Sequence, residues 1–195
     1  KPVNVMGMTK SIQERIFIEG NLRCSQTRFI CTRYGNVLAS RGSVIPMFID
    51  QIKKGGPVTI TVPEMTRFLM SLDKAIDTIF AAVKSAKRGE TYIPKVPSAK
   101  ITDVVDILVD YKKIEIKYIG IRPGEKIHEV LISEEECYRT IDRGDYFAIQ
   151  PILPELRSSK DISICLNKEY SSANDLMNKD EIRNLLKINN LLLDN

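Results

Sequence analysis

Apolar residues recur along the chain at helical spacing in several stretches, and short runs rich in β-branched residues separate them. The spacing predicts helices over residues 2–20, 44–52 and 72–86, while the runs at 28–33 and 58–62 predict strands. Alternation of this kind is typical of a mixed α/β fold.

The pattern continues through the second half of the chain, which becomes polar after Gly120 and proline-spaced after Pro151. It predicts strands over 91–93, 114–119 and 145–149, a helix over 103–110 capped by Thr102, a short acidic helix opened by Ser133, and an amphipathic stretch over 180–193.

Two predicted helices have a well-defined apolar face. Ile12, Ile16 and Phe17 share one face of the first helix, which Gly20 is expected to end. The face of the third helix is formed by Leu72, Ala75, Ile76, Ile79, Phe80 and Val83.

The loop RYGNVLASRGSVIP, residues 33–46, joins a predicted strand to a predicted helix. Asn36 stands at the end of the strand, and Ser43 is placed to cap the helix. Ligands of open α/β sheets bind beyond the carboxyl ends of strands, and helix N-termini favour anions. The loop is therefore a candidate ligand site, with an ordinary strand–helix connection as the alternative.

Composition excludes several classes of function. The 195 residues are 43% hydrophobic and 28% charged, and the net charge of +4 comes from scattered basic residues without tryptophan, so nucleic-acid binding is not indicated. Four distant cysteines and one histidine suggest neither a metal site nor disulfides, which favours a reducing cytoplasm. No apolar run approaches the ~20 residues of a membrane span, so no membrane association is predicted.

Several polar residues could form a pocket for a nucleotide sugar. Arg67 is expected in a loop between a strand and the third helix, and Arg122 and Glu125 occupy a Pro-Gly turn. Two arginines could bind a diphosphate through paired hydrogen bonds, and Tyr170 in the irregular tail could hold a base or ribose. Each of these residues alone is equally compatible with a solvated surface. The single histidine, His128, is predicted on a helical segment with a structural role.

Six motifs, in order, carry a resemblance to a known family: MGMTK, RYGNVLASRGSVIP, EMTRFLMSLDKAID, YIPKVPSAKITDV, GIRPGEKIHEVLI and EYSSAND. They resemble the polysaccharide-biosynthesis branch of the extended short-chain dehydrogenase/reductases. That branch includes the UDP-N-acetylglucosamine 4,6-dehydratases that supply capsule and O-antigen sugars.

The resemblance implies an α/β fold that corresponds to the C-terminal part of such an enzyme. No GxGxxG motif occurs in the sequence, so the glycine-rich half that binds the dinucleotide is expected to be absent. Residues 1–40 are then a remnant of the Rossmann domain, 41–150 the UDP-sugar domain, and 151–195 a tail that contributes to the site.

The resemblance also implies catalytic and cofactor-binding roles at two positions. Lys10 corresponds to the lysine of the family's YxxxK pair, which binds the nicotinamide ribose of NADP, with NAD as the other possibility. Met6 stands at the tyrosine position and cannot transfer a proton. MxxxK sequences are similar to the inverting dehydratases that also epimerise C5, in which an Asp–Lys pair upstream of the helix moves the protons.

In such enzymes hydride leaves C4, water is lost across C5 and C6, and hydride returns to C6. The substrate-binding positions that the resemblance implies are Asn36, Val44, Ile45, Pro46, Thr61, Arg67, Arg122, Glu125, Tyr170 and Ser171.

Two alternatives remain. A C4-epimerase of the same superfamily conflicts with Met6, because those enzymes rely on the tyrosine. A non-catalytic module would only bind sugar nucleotide or oligomerise. In every case we expect no turnover by this chain alone, exposed apolar surface on the first helix and strand, and a homo-oligomeric, cytoplasmic whole enzyme.

Overall fold

The computed structural model describes residues 2–40, 42–110, 112–157 and 165–193. The α-helices in these ranges are α1 Val5–Arg23, α2 Val44–Lys53, α3 Leu72–Ser85, α4 Ile101–Val109, α5 Glu134–Cys137 and α6 Lys179–Ile188, with a 3₁₀ helix at Pro154–Leu156. The strands are β1 Cys31–Thr32, β2 Asn36–Val37, β3 Val58–Ile60, β4 Thr66–Met70, β5 Thr91–Pro94, β6 Ser98–Lys100, β7 Ile116–Tyr118, β8 Val130–Ile132, β9 Thr140–Asp142, β10 Tyr146–Ile149 and β11 Tyr170–Ser171.

The chain divides into two compact units that interleave along the sequence. The first unit contains the described residues of 1–34, 73–95 and 130–171, and the second those of 35–72, 96–129 and 172–195. The three consecutive ranges given by the resemblance, 1–40, 41–150 and 151–195, stay a prediction about the parts of the whole enzyme. The units interleave because strands that are distant in sequence pair with one another in each of them.

The first unit is built on a four-stranded sheet in the order β1-β5-β10-β9. β1 and β5 are parallel, with Cys31 opposite Thr91, while β10 runs antiparallel to both β5 and β9. A small core of Ala82, Ala86, Tyr92, Ile141 and Ala148 packs here. Helix α3 contributes only small residues to it, which leaves the larger apolar side chains of that helix outside the core.

The second unit contains a three-stranded sheet, β2-β4-β6, and the parallel pair β3-β7. Its core is larger and mostly aliphatic, and helices α2, α4 and α6 each bury one apolar face in it. Phe48 on α2 is 1% exposed, and Ile182 on α6 is fully buried. Burial of this extent stabilises the unit by roughly 2 kcal/mol for each large side chain.

Helix α1 extends three residues beyond the predicted end at Gly20. Gly20 lies against the ring of Phe29, where an added Cβ would stand 3.4 Å from the ring. The next residue, Asn21, donates to the carbonyls of Ile18 and Phe29 and accepts the Phe29 N–H at 3.0 Å. The helix continues because these tertiary contacts outweigh the local tendency of Gly-Asn to end a helix.

Three further local predictions were wrong. Arg67 lies in strand β4 rather than in a loop, because 66–70 is the central strand of a sheet and is buried on both faces. Helix α4 begins at Ile101 with Lys100 as its N-cap, since β6 runs directly into it, and Thr102 is not the cap. His128 lies in an irregular segment and not on a helix.

Candidate functional site

A cavity of about 260 Å³ lies within the second unit. Six of the ten predicted substrate-binding residues line it: Asn36, Val44, Thr61, Arg67, Arg122 and Glu125. These residues come from five separate parts of the chain, so their convergence is a property of the fold and not of the local sequence. The remaining lining includes a mostly apolar wall of Met47, Phe48, Ile60, Met65, Ile101 and Ile119.

Asn36 is held in place by a close approach of two strands. β2 pairs parallel with β4, with Asn36 opposite Leu69. A Cβ on the preceding Gly35 would lie 2.4 Å from the Cβ of Phe68. Only glycine allows this separation, so Gly35 fixes the position from which Asn36 reaches the cavity.

The N-terminus of α2 borders the cavity through Gly42 and Val44. Ser43 is the N-cap residue, as predicted, but its side chain makes no capping hydrogen bond. Its Oγ is buried without a hydrogen-bond partner among the described residues. The predicted residues Ile45 and Pro46 do not line the cavity, and Ile45 instead packs into the core. Arg41 in the same motif lies outside the described residues.

Arg67 is committed mainly to the protein backbone. Its Nη1 donates to the carbonyls of Thr66 at 2.7 Å and Ile127 at 2.9 Å, and Nη2 donates to the carbonyl of Lys126 at 2.9 Å. Burial lowers the pKa of Arg67, and the carboxylates of Glu129 and Glu125 oppose that shift. Three of its five N–H groups therefore donate to backbone carbonyls. Arg67 thus stabilises the wall of the cavity and also places a positive charge in its lining.

Arg122 and Glu125 are the first and last residues of a β-turn. The Glu125 N–H donates to the Arg122 carbonyl at 3.0 Å, and Gly124 has φ +82°, as the third position of a type II turn requires. The Glu125 carboxylate accepts the Arg122 N–H at 3.0 Å and lies 3.5 Å from Thr61 Oγ1. Within the described ranges the Arg122 guanidinium has no hydrogen-bond or ion-pair partner, and the predicted Pro-Gly turn is confirmed.

Thr59 lines the cavity although the sequence analysis did not select it. Its N–H donates to Gln51 Oε1 at 3.0 Å, and its Oγ1 accepts from Gln51 Nε2 at 2.8 Å. Thr59 and Thr61 are two residues apart around strand β3, a spacing that places both side chains on the same face. The alternation of apolar residues and threonines in VTITV, residues 58–62, is the sequence pattern that indicates this arrangement.

The other predicted site residues belong to the first unit. Tyr170 and Ser171 form β11, which pairs with β8, and the Tyr170 ring packs edge-on against Phe147 at 5.2 Å. Lys10 and Met6 lie on α1, where Met6 is 71% exposed and Lys10 Nζ lies 3.4 Å from Gln13 Oε1. The cavity itself is lined by residues of the second unit, so the roles of these four residues remain predictions. Residues 158–164 and 194–195 of the predicted tail lie outside the described residues.

Two other features are absent from the part of the chain that the structure describes. No group of three or more His, Cys, Asp or Glu side chains is arranged to hold a metal ion. Similarly, none of the helices there is both long enough and apolar enough to span a membrane.

Proteins of known sequence resemble almost the whole chain. An uncharacterized membrane protein of Methanocaldococcus jannaschii is 43% identical over 95% of this chain, and a UDP-glucose 4-epimerase of Rickettsia rickettsii is 40% identical over the same share. The chain spans 58% and 57%, respectively, of the length of these relatives.

Solved structures also resemble this chain, and it again covers only part of their length. The structure of Pen from Bacillus thuringiensis matches 98% of this chain with a TM-score of 0.88 and 34% identity, and this match covers 60% of the Pen chain. A UDP-glucuronic acid 4-epimerase from Bacillus cereus, at 23% identity and a TM-score of 0.57, shares the fold. The sequence profile described as polysaccharide biosynthesis protein matches residues 1–151. The chain therefore belongs to the polysaccharide biosynthesis protein family, and its fold is that of the C-terminal portion of an extended short-chain dehydrogenase/reductase.

Proposed function

We propose that this chain is the nucleotide-sugar-binding part of a UDP-N-acetylglucosamine 4,6-dehydratase that also inverts C5, in the biosynthesis of surface polysaccharide. The observation that carries the proposal is the cavity of the second unit, in which six predicted substrate residues converge. The family and a relative named UDP-glucose 4-epimerase support sugar-nucleotide chemistry in general, and the choice of a dehydratase rests on the MxxxK sequence.

The charges of the cavity fit a diphosphate. Arg122 offers an exposed guanidinium, and Arg67 adds a second positive charge beside it in the lining. Arginine binds phosphate oxygens through paired, charge-assisted hydrogen bonds. Glu125 is held by the Arg122 N–H, which places a carboxylate where it could accept hydrogen bonds from ribose or sugar hydroxyl groups.

The remaining lining fits the two ends of a UDP-sugar. The apolar wall, which includes Met47 and Ile119, suits the face of a nucleobase or the methyl group of an N-acetyl substituent. Asn36, Thr59 and Thr61 supply donors and acceptors for the directed hydrogen bonds that fix a polar ligand.

The residues of this sequence supply only part of a binding site for the dinucleotide cofactor of this fold. Lys10 is exposed on α1 and could contact a nicotinamide ribose, but the sequence contains no glycine-rich loop to hold the pyrophosphate. These residues do not form a dinucleotide site by themselves. We therefore assign the chain substrate binding and expect no turnover by the 195 residues alone.

A UDP-sugar C4-epimerase is the second candidate, because relatives at 37–40% identity carry the name UDP-glucose 4-epimerase. An epimerase must accept both C4 epimers, whereas the dehydratase needs only one. The affinities of the two epimers therefore distinguish the candidates without any turnover.

The test is isothermal titration calorimetry of the chain with UDP-N-acetylglucosamine. We expect binding that Arg122→Gln weakens about tenfold or more, since a hydrogen bond to a charged group contributes roughly 1.5–3 kcal/mol. Lys117→Gln removes the same charge from an exposed position of β7 outside the cavity and should leave the affinity unchanged.

A wild-type chain that does not bind, or equal losses in both variants, would contradict the proposed site. Binding of UDP-N-acetylgalactosamine with equal affinity would favour the epimerase over the dehydratase. Any 4-keto product formed by the chain with NADP⁺ would overturn the assignment of substrate binding alone.

A further inference from the structure

Two buried hydroxyl groups and a histidine form a hydrogen-bond network next to Arg67 in the second unit. Thr66 Oγ1 lies 2.7 Å from Ser172 Oγ and 2.8 Å from Nδ1 of His128. Thr66 is 2% exposed and Ser172 is fully buried. Since successive residues of a strand point to opposite faces, Thr66 and Arg67 act on opposite sides of β4.

Ser172 joins the tail of the chain to two other segments. Its N–H donates to the Glu129 carbonyl at 2.8 Å, and its Oγ accepts the Glu129 N–H at 2.9 Å. The same hydroxyl also lies 3.2 Å from the Thr66 carbonyl. Tyr170 and Ser171 are the predicted substrate-binding residues of the motif EYSSAND, but the next residue, Ser172, is the one that belongs to the unit with the cavity.

The hydroxyl groups can form hydrogen bonds with either tautomer of the histidine. When Nδ1 of His128 is an acceptor, the Thr66 hydroxyl donates to it, and the Ser172 hydroxyl donates to the Thr66 carbonyl. When Nδ1 carries a proton, it donates to Thr66 Oγ1, whose hydroxyl then donates to Ser172. Both hydroxyl groups therefore donate a hydrogen bond with either tautomer, so the network is suited to hold a fixed geometry.

This network holds the segment that follows the Arg122–Glu125 turn. The Thr66 N–H donates to the Ile127 carbonyl at 3.0 Å, and the guanidinium of Arg67 donates to the carbonyls of Lys126 and Ile127. Residues 126–129 are thus bonded to strand β4 through its backbone and both side chains, and to Ser172 at their end.

We propose that Thr66 and Ser172 are positioning residues, which hold residues 126–129 and thereby set Arg67 and the Arg122–Glu125 turn for the diphosphate of the ligand. This inference rests on the proposed function. Neither hydroxyl is among the groups that line the cavity, so both act through the arginines rather than on the ligand. Their loss lets the segment shift, and the affinity for ligand falls although no ligand contact is removed.

The test compares hydroxyl deletions of equal size in the two units. Thr66→Val and Ser172→Ala should each weaken binding of UDP-N-acetylglucosamine about fivefold or more, while Thr66→Ser, which keeps the hydroxyl, should stay within about twofold of the wild type. The control is Thr78→Val, which removes a buried hydroxyl bonded to the Lys74 carbonyl within α3 of the first unit. It should lower the melting temperature to a similar degree and leave the affinity unchanged.

The arginine side-chain N–H resonances provide a second readout that needs no ligand. We expect Ser172→Ala to shift the Nε–H signals of Arg67 and Arg122, and Thr78→Val to leave them in place. Unchanged signals and affinity in Thr66→Val and Ser172→Ala would overturn the inference. If the wild-type chain does not bind while the signals shift, positioning stands and the proposed function fails. If Arg122→Gln weakens binding while the two deletions do not, the proposed function stands and positioning fails.

Discussion

The two units treat their apolar side chains in opposite ways. In the second unit the apolar faces of α2, α4 and α6 are buried in a common core. In the first unit most of the large apolar residues of α1 and α3 are exposed: Met6, Ile16 and Phe80 are 71%, 62% and 68% exposed, although Ile18 of α1 is buried. Helical periodicity therefore predicts that a helix forms but not that its apolar face is covered. The cavity belongs to the unit that covers its own core.

The units also differ in how they bury polar groups. The second unit uses the neutral hydroxyl network around Thr66. The first unit buries an ionic cluster in which Arg33 donates to Glu14 at 2.6 and 2.7 Å and to Glu136 at 2.7 and 2.8 Å. Burial of Arg33 alone would lower its pKa, but its hydrogen bonds to Glu136 and Glu14 raise it instead. We expect the stability of the first unit to depend on the ionisation of this cluster.

The largest expected difference in the free energy of unfolding is between two Phe→Ala substitutions, one in each unit. Phe48→Ala removes a ring that is 1% exposed in the second unit and should lower the free energy of unfolding by about 3–5 kcal/mol. Phe80→Ala removes a ring that is 68% exposed on α3 and should change it by less than about 0.5 kcal/mol. Urea denaturation of both variants measures the difference. Equal losses would show that the face of α3 is packed in solution.

The next largest expected effect is a loss of stability of the first unit at low pH. Burial alone would raise the pKa of Glu136, but its bonds to Arg33 and Ser133 lower it from 4.5 to about 2. The stability that this carboxylate contributes is complete above pH 4.5 and is lost as the pH falls toward 2. A shift of this size corresponds to about 3 kcal/mol. Urea denaturation of the wild type between pH 7 and pH 2 should show this loss.

Two variants isolate the carboxylate. Glu136→Gln should be destabilised at pH 7, and its difference from the wild type should shrink as the pH falls below 4.5. The neighbouring Glu135 has a side chain that is 67% exposed, so Glu135→Gln should follow the wild-type profile. A Glu136→Gln profile parallel to that of the wild type would show that the cluster does not set the acid stability.

The sequence predicted the long helices, although α1 begins and ends three residues later than predicted. Helices α2 and α3 were predicted to within one residue at either end, because their apolar residues recur over more than two turns. The two-residue and three-residue strands β2, β6, β8, β9 and β11 were missed, since so few residues carry no usable period. β4 was missed because a strand buried on both faces does not alternate.

Several residues of the candidate site were predicted from their chemistry, but their convergence was predictable only through resemblance. Nothing in the local sequence shows that Asn36, Thr61 and Arg122 meet, because their convergence depends on pairings across long separations. The bond between Ser172 and Thr66 could not be predicted from the sequence, because the two residues are 106 positions apart. The hydrogen bonds of Arg67 to backbone carbonyls could not be predicted either, because the sequence does not distinguish a buried arginine from a solvent-exposed one.

The smallest expected effect on stability is also the one that tests the outward-facing helices most directly. Contiguous exposed apolar surface favours association, and α1 offers Ile12, Ile16 and Phe17 on one face. We expect the wild-type chain to self-associate in sedimentation velocity and Ile16→Lys to reduce that association, while the free energy of unfolding changes by less than about 0.5 kcal/mol. Ile188→Lys is the control, because Ile188 is 71% exposed on α6 of the second unit. If both lysine variants sediment like the wild type, the face of α1 does not drive association, and the contrast between the two units is one of packing alone.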